Sequence, residues 1–219
     1  MSGSITGKNF SIATWGESHG KALGVVIDGC PAGIPLTEED IQKDLDRRKP
    51  GQSPFSSPRK ESDRIEILSG VFEGRTTGTP ISLVLYNTNQ RPYDYSEIAK
   101  IYRPGHADYT YDQKYGFRDY RGGGRSSGRE TAVRVAAGAV AKKILRELGV
   151  EITAYTLSIG NIEIDRERFD KNEITRNFLA MPDKKAAAQA EAFLHALKEA
   201  NDSAGGVIEC LIEGRPGGV

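Results

Sequence analysis

Two histidines lie in short glycine-containing segments, where an imidazole can approach a ligand closely. His19 occupies residues 16–20, GESHG, which we call the histidine loop, and His106 follows a Pro-Gly pair in residues 103–109, RPGHADY. Histidine exchanges a proton near neutral pH, and glycine neighbours leave room for a bound molecule. Both are candidates for proton transfer, although a single histidine in a loop can equally be structural. Asp108 could orient the imidazole of His106 or cap a turn.

Residues 121–127, RGGGRSS, form a third candidate site, which we call the glycine loop. Three consecutive glycines allow backbone N–H groups to converge, and Ser126 or Ser127 can cap the helix that follows. A helix N-terminus favours an anion such as phosphate. Three arginines that could add charge-assisted hydrogen bonds, each contributing about 1.5–3 kcal/mol if desolvated, are Arg121, Arg125 and Arg129. The alternative is a flexible loop before a capped helix. Neither a Walker lysine motif nor GxGxxG is present.

A long helix is predicted directly after the glycine loop. Apolar residues recur with the spacing of one helical face at Val133, Ala136, Ala137, Val140, Ala141, Ile144, Leu145 and Leu148. Gly149 is expected to end the helix. Because a glycine inside a helix costs about 1 kcal/mol relative to alanine, Gly138 predicts close approach of a neighbouring backbone. We therefore expect this helix to be central and covered on both sides.

The histidine loop also satisfies GxSxG, the nucleophile elbow of many hydrolases. That elbow requires a strand, a sharp turn and then a helix. Residues 22–28, ALGVVID, are β-branched and apolar and therefore predict a strand in place of the helix. The pattern thus argues against a hydrolase.

The other elements are predicted from apolar patterning and capping signals. Strands are expected at residues 9–15, 22–28, 64–72, 80–86, 151–162 and 207–213. A short helix should begin at a capping box at Thr37 and end in basic residues that include Arg48, an ordinary place for cations. A second helix, capped by Asp183, should reach residue 200. The polar residues 50–63 are expected to form a mobile loop and a candidate lid, and residues 87–102 an irregular connection.

Composition limits the classes of function. The 219 residues include thirty basic and thirty acidic side chains, so the formal net charge is zero. A neutral chain argues against a general nucleic-acid binder. The two cysteines match no metal-ligand spacing and are expected to be free thiols, and no metal site is predicted. Without a signal-peptide core or a long apolar run, the expectation is a cytoplasmic protein with no membrane contact.

A short internal echo bears on domain organisation. Residues 26–34, VIDGCPAGI, and 211–219, LIEGRPGGV, share an apolar pair, an acid, G-x-P-x-G and an aliphatic residue. The echo suggests a pseudo-repeat whose second copy is cut short. We expect residues 1–219 to be a single domain, truncated at its C-terminal end.

Three segments together resemble a known family. They are GESHGKALGVVIDGCP, DLDRRKPG and RPGHADYTYDQKYGFRDYRGGGRSSGRETAVRVAAGAVA, and the chain closely resembles bacterial-type chorismate synthases over essentially its whole length. The resemblance implies an α+β fold with helices sandwiched between antiparallel β-sheets, in a homotetramer. It also implies anti-1,4-elimination of phosphate from 5-enolpyruvylshikimate 3-phosphate with reduced FMN, without net redox change, and NADPH as a candidate reductant.

The resemblance also implies roles for individual residues. His19 would donate a proton to the departing phosphate, and His106 would protonate or stabilise reduced FMN near its N1 edge. The residues that match the family's FMN contacts are Arg125, Ser126 and Ser127. Arg48 and Arg129 match positions that bind the substrate's anionic groups, and Arg48 is also associated with the nicotinamide nucleotide. Pro54 replaces a basic residue of many members, which puts in doubt how that loop holds its anion.

Three alternatives stay open. Another phosphate-ester enzyme, such as a kinase, would need a P-loop and an acidic magnesium site, and neither is evident in the sequence. A nucleic-acid or partner-binding module could use the arginines of the glycine loop, although the neutral net charge weakens that interpretation. The chain could also be a folded but inactive piece of the lyase.

Overall fold

The computed structural model describes residues 3–55, 61–88 and 98–214. Contacts divide the chain into two compact units. The first consists of Met1–Pro50 and Arg59–Leu145, and the second of Gly51–Pro58 and Arg146–Val219. That residues 1–219 form one domain stays a prediction.

The first unit contains a five-stranded antiparallel sheet. Its strands are β1 (Ile5–Thr6), β2 (Ser11–Gly16), β3 (Ala22–Asp28), β4 (Ile65–Ser69) and β7 (Ile81–Tyr86), in the order β1-β2-β3-β7-β4. Alternate residues of β3 and β7, including Leu23 and Leu83, are fully buried. The predicted strand at residues 64–72 is interrupted at Gly70, where φ is +80°. Beyond it, β5 (Val71–Phe72) pairs with β6 (Arg75–Thr76).

Helix α1 (Glu38–Arg48) confirms the predicted capping box. The carboxylate of Asp40 accepts a hydrogen bond from the backbone N–H of Thr37 at 3.0 Å. Ile41 and Leu45 are fully buried in the core of the first unit. One apolar stripe therefore fixes the helix against the sheet, and its last residue, Arg48, comes to lie near the glycine loop.

Helix α3 (Thr131–Glu147) follows the glycine loop as predicted, and Gly149 lies beyond its end with φ +74°. Val133 and Val140 are buried with the small alanines of the same face. The prediction for Gly138 is wrong: a Cβ built there meets no described atom within 4 Å. The apolar stripe also ends early, since Leu148 is half exposed. The pattern identified the buried face but overestimated how much of the helix is covered.

Helix α2 (Asp108–Tyr115) was not predicted, because its apolar residues have no helical period. It ends at Gly116, where φ is +71°. The aromatic rings of Tyr109 and Tyr115 are more than half exposed. Polar contacts at the start of the helix, described below, hold this segment in place.

The second unit packs one helix on a three-stranded antiparallel sheet. The strands β8 (Glu151–Ile159), β9 (Ile162–Glu163) and β10 (Gly206–Glu213) have the order β10-β8-β9. The predicted strand at residues 151–162 is thus a hairpin that turns at Gly160, where φ is +57°. Helix α4 (Lys184–Glu199) is capped by Asp183 as predicted, through bonds from the N–H groups of Lys185 and Ala186.

The segment predicted as a lid is described only in part. Residues 56–60 lie outside the described ranges, whereas Phe55 packs edge-on against His195 with 4.7 Å between ring centroids. The carbonyl of Pro54 accepts a hydrogen bond from Lys198 Nζ at 2.9 Å. Both contacts are within the second unit. A lid over an anionic site stays a prediction.

The predicted α+β class with antiparallel sheets is confirmed. No helix in residues 3–55, 61–88 and 98–214 combines the length and the apolar character that a membrane span requires. Cys30 is buried and Cys210 is exposed, and both thiols are free.

Candidate functional site

The histidine loop connects β2 to β3, so a strand follows it where a nucleophile elbow would have a helix. Gly16 has φ +92°, and a Cβ there would lie 2.2 Å from the carbonyl oxygen of Ala22. Ser18 is buried, and its hydroxyl donates to the carbonyl of Gly122 at 3.2 Å. Its backbone N–H donates to the carbonyl of Gly124 at 3.2 Å. Ser18 therefore joins the histidine loop to the glycine loop.

The glycine loop adopts a conformation that requires its glycines. Gly122, Gly123 and Gly124 have φ values of +61°, +91° and +54°, three consecutive residues in the left-handed region. A Cβ on Gly122 would lie 2.2 Å from Cδ2 of His19, and one on Gly123 would lie 3.9 Å from Cδ2 of His106. The two candidate imidazoles thus lie beside consecutive residues of the same loop.

The guanidinium groups within the glycine loop are tied to protein partners. Arg125 donates to the carbonyl of Gly16 at 3.2 Å and to the hydroxyl of Thr14 at 2.7 Å. It also pairs with Glu130 at 3.2 Å. The expectation that Arg125 adds a forked donor to an anion gains no support from this geometry, because its side chain is directed to β2.

Arg121 forms a two-pronged pair with Asp119, through Nε and Nη2 at 2.8 Å each. Burial alone would raise the pKa of Asp119, but the hydrogen bonds from Arg121 outweigh it and the pKa falls below its ordinary value. Asp119 is therefore a carboxylate at neutral pH. Its charge offsets that of Arg121.

The two serines have different environments. Ser126 is exposed, and its hydroxyl donates to the carbonyl of Gly123 at 2.7 Å. Ser127 caps a 3₁₀ turn at residues Gly128–Glu130, where its hydroxyl accepts from the N–H of Arg129 at 3.3 Å. Ser127 thus fulfils the predicted capping role on this turn, which directly precedes α3. The exposed hydroxyl of Ser126 can take part in contacts with a ligand.

Arg48 and Arg129, the two predicted substrate contacts, meet at one carboxylate. Nη1 of Arg129 donates to Oδ1 of Asp63, and Nη1 of Arg48 donates to Oδ2 at 3.1 Å. Asp63 is buried and has φ +47°, a strained conformation for a residue other than glycine. Arg48 also donates to the carbonyl of Gly128 at 2.9 Å. The cation at the end of α1 therefore does more than complement the helix dipole.

One atom of Arg129 retains the capacity to bind a ligand. The side chain is only 3% exposed, and Nη2 lies 4.0 Å from Oε2 of Glu61. Nη2 is buried without a hydrogen-bond partner within the described ranges. A buried N–H group without a partner is costly, so this atom is suited to an anionic ligand group.

Asn87, which sequence patterning did not identify, connects the histidine loop to Arg129. Its amide Nδ2 donates to the carbonyls of Gly20 at 2.8 Å and Glu17 at 3.1 Å. Its carbonyl Oδ1 accepts from Nε of Arg129 at 3.0 Å. No local pattern could have revealed these contacts, because Asn87 lies in a polar segment predicted to be irregular.

His106 lies in the turn before α2. Its Nδ1 is 3.3 Å from the carbonyl of Pro104, and its side chain is exposed. The oxygens of Asp108 accept from the backbone N–H, Nε and Nη2 of Arg103 at 2.8–3.0 Å. Two roles were considered for Asp108, orienting His106 or capping a turn. The bonds to Arg103 show the second, because they fix the turn before α2. The hydrogen bonds from Arg103 lower the pKa of Asp108 below its ordinary value.

The site thus combines groups that can transfer a proton with groups that can hold an anion. Two imidazoles lie beside the glycine loop, and Arg129 retains a buried donor. The loop arginines and Arg129 each have a carboxylate partner, and we call these three the paired arginines: Arg121 with Asp119, Arg125 with Glu130, and Arg129 with Asp63. No cluster of three metal-binding side chains occurs among the residues that the structure describes.

Comparison with known proteins identifies the family. The family model for chorismate synthase matches residues 10–219. The chain is 65% identical over 219 residues to the chorismate synthase of Lachnospira eligens and 62% identical to that of Lachnoclostridium phytofermentans, covering 100% of this chain and 60% of each relative. A crystal structure of chorismate synthase superposes with a TM-score of 0.73 at 33% identity, covering 94% of this chain and 59% of that one.

The chain spans about 60% of the length of the curated relatives it matches. The match nevertheless includes the histidine loop, His106 and the glycine loop. The chain belongs to the chorismate synthase family.

Proposed function

We propose that the protein acts as a chorismate synthase and eliminates phosphate from 5-enolpyruvylshikimate 3-phosphate, in an anti-1,4 sense, to give chorismate. The observation that carries the proposal is the position of His19 and His106 beside consecutive glycines of one loop. Such a loop can bring a bound molecule within reach of both imidazoles. Family membership supplies the reaction class.

The reaction removes a ring hydrogen that no ordinary side-chain base could abstract, and we propose reduced FMN as the cofactor. Bound reduced FMN would supply an electron transiently and regain it, so that there is no net redox change. The donors at the site suit an anionic ligand, because Ser126 Oγ is exposed and Arg129 Nη2 is buried without a hydrogen-bond partner in the described part of the chain.

Each site residue has a role in this proposal. His19 would hold the proton that passes to the leaving phosphate, and His106 would place a proton near the N1 edge of the flavin. Ser126, Ser127 and the loop backbone would contact FMN. Arg125 would hold the glycine loop in the conformation that contacts FMN, since its guanidinium is bonded to β2.

Arg129 and Arg48 would bind the anionic groups of the substrate. Their shared partner Asp63 holds both guanidinium groups in one place, which lowers the entropy lost on binding. A small-molecule substrate, NADPH as a reductant, a homotetramer and a cytoplasmic location complete the proposal. NADPH and the homotetramer rest on the family resemblance alone, whereas the location rests on the sequence features described above.

The test is phosphate release by the natural gene product under anaerobic conditions. We expect release from 5-enolpyruvylshikimate 3-phosphate with reduced FMN and none without it. His19→Ala and His106→Ala should each lower kcat by about 10²–10⁴-fold, the usual value of a general acid. His195→Ala is the matched control, because this third histidine packs against Phe55 in the second unit. Near-normal turnover in both site variants would refute the assignment.

A further inference from the structure

Asn87 is a buried amide whose hydrogen-bonding atoms all point into the candidate site. It follows β7 directly and is 8% exposed. Its backbone N–H donates to the carbonyl of Lys21 at 3.1 Å, and Nδ2 donates to the carbonyls of Gly20 and Glu17. Oδ1 accepts from Arg129 Nε at 3.0 Å. Two of these four bonds hold the histidine loop, a third holds Lys21 directly after it, and the fourth holds Arg129.

The partners determine the orientation of the amide. If oxygen and nitrogen were exchanged, Oδ1 would face the carbonyl oxygens of Glu17 and Gly20, and Nδ2 would face the N–H of Arg129. All three contacts would become repulsive. The side chain therefore has one stable orientation, and its two ends are not interchangeable.

This orientation connects two groups that the elimination requires. Glu17 and Gly20 flank His19 closely, so the Nδ2 bonds fix the loop segment that carries the imidazole. The bond to Nε fixes the plane of the Arg129 guanidinium and hence the direction of its remaining donor, Nη2. One side chain thus sets the position of the proton donor relative to the anion-binding group.

We propose that Asn87 is a positioning residue for phosphate elimination, acting through His19 and Arg129 without touching the substrate. The inference rests on the proposed function. It predicts that loss of the Nδ2 bonds to the histidine loop lowers kcat. Loss of the Oδ1 bond to Arg129 should in addition raise KM.

Two variants distinguish the role of the Nδ2 end of the Asn87 amide from that of the Oδ1 end. Asn87→Asp keeps an acceptor for Arg129 but places an oxygen against the carbonyls of Glu17 and Gly20. Asn87→Ala removes both functions. Because a misplacement of about 1 Å can cost about 10²-fold in rate, we expect both variants to lose about 10- to 100-fold in kcat. KM should stay within about threefold of wild type in Asn87→Asp and rise by more than about threefold in Asn87→Ala, since only the latter removes the acceptor for Nε of Arg129.

Asn177 provides a matched control. Its amide also donates to two carbonyls, those of Glu173 at 2.7 Å and Met181 at 2.9 Å, and it accepts from the N–H of Met181. This second clamp lies in the second unit. Asn177→Asp makes the same chemical change and should leave kcat within about twofold of wild type in folded protein.

The second readout is the ¹⁵N NMR signal of the histidine imidazoles. The chain has three histidines, so each signal can be assigned by substitution. Asn87→Asp should shift the signals of His19 and leave those of His195 unchanged. This readout requires no turnover, and Asn87→Asp, which keeps the side-chain shape, carries the test if Asn87→Ala does not fold.

The outcomes distinguish the two proposals. If the wild-type gene product releases no phosphate, the proposed function is refuted, and this inference, which depends on it, is refuted as well. If wild type is active, a kcat of Asn87→Asp within twofold of wild type, unchanged His19 signals or an equal loss in Asn177→Asp would each overturn the inference alone.

Discussion

Gly122→Ala should displace His19. The alanine Cβ would lie 2.2 Å from Cδ2 and 2.3 Å from Nε2 of the imidazole, whereas ordinary contacts begin at 3.4 Å. The difference, 3.4 − 2.2 = 1.2 Å, must come from movement of the ring or of the loop. The left-handed backbone at Gly122 adds about 1–2 kcal/mol for a residue with a Cβ.

The expected effect on rate is equivalent to about 2.7 kcal/mol of activation free energy, so it is comparable with the effect on stability. A displacement of about 1 Å in a catalytic group can cost about 10²-fold, so kcat for phosphate release should fall by about 100-fold. The left-handed backbone should lower the free energy of unfolding by about 1–2 kcal/mol, in addition to the cost of moving the ring, against a typical total stability of about 5–15 kcal/mol. The assay is anaerobic phosphate release with reduced FMN, accompanied by a thermal unfolding curve.

Gly116→Ala is the control. Gly116 has φ +71°, close to that of Gly122, but a Cβ built there has no described atom within 4 Å. This variant carries the backbone cost without the clash. If Gly122→Ala and Gly116→Ala had the same kcat within about threefold, the argument that the glycine contact positions His19 would be refuted.

Three further predictions concern stability. Because Arg103 lowers the pKa of Asp108, Asp108→Asn should destabilise the protein at neutral pH. The difference between wild type and variant in free energy of unfolding should be complete above the unfolded-state pKa of about 3.9. It should vanish as the pH falls through the lower folded-state pKa of Asp108. A difference in unfolding midpoints that stays constant across acid pH would contradict this prediction. Asp183→Ala removes the cap of α4 and should cost about 2 kcal/mol in urea unfolding, where no change would exclude the capping role. Ile41→Ala, at a fully buried position, should cost about 2–5 kcal/mol by the same method, and a loss below about 1 kcal/mol would contradict the packing.

The elements that could be predicted from the sequence are those with local signals. The capping box at Thr37, the cap at Asp183 and the stop at Gly149 depend on residues within a few positions of each other, and the structure shows all three. Apolar periodicity likewise located β3 and the buried face of α3. Helix α2 has no such period, and its first turn depends on the contact of Asp108 with Arg103.

The candidate site could be predicted only in part, because its partners are distant in sequence. Arg129 meets Asp63 across 66 positions and Asn87 across 42, and Arg125 meets Thr14 across 111. The glycines and histidines could be singled out by residue type. The direction of the arginines could not, since it depends on where buried carboxylates lie in the folded chain.

The paired arginines have a consequence for the rate at which a charged molecule reaches the site. Each positive charge has a carboxylate within 3.2 Å, so the electric field of each pair decays over a short distance. These three arginines should therefore contribute little to long-range steering of a polyanion, and added salt should change their contribution to association only slightly. Selectivity would come from close fit after contact and not from electrostatic capture in solution.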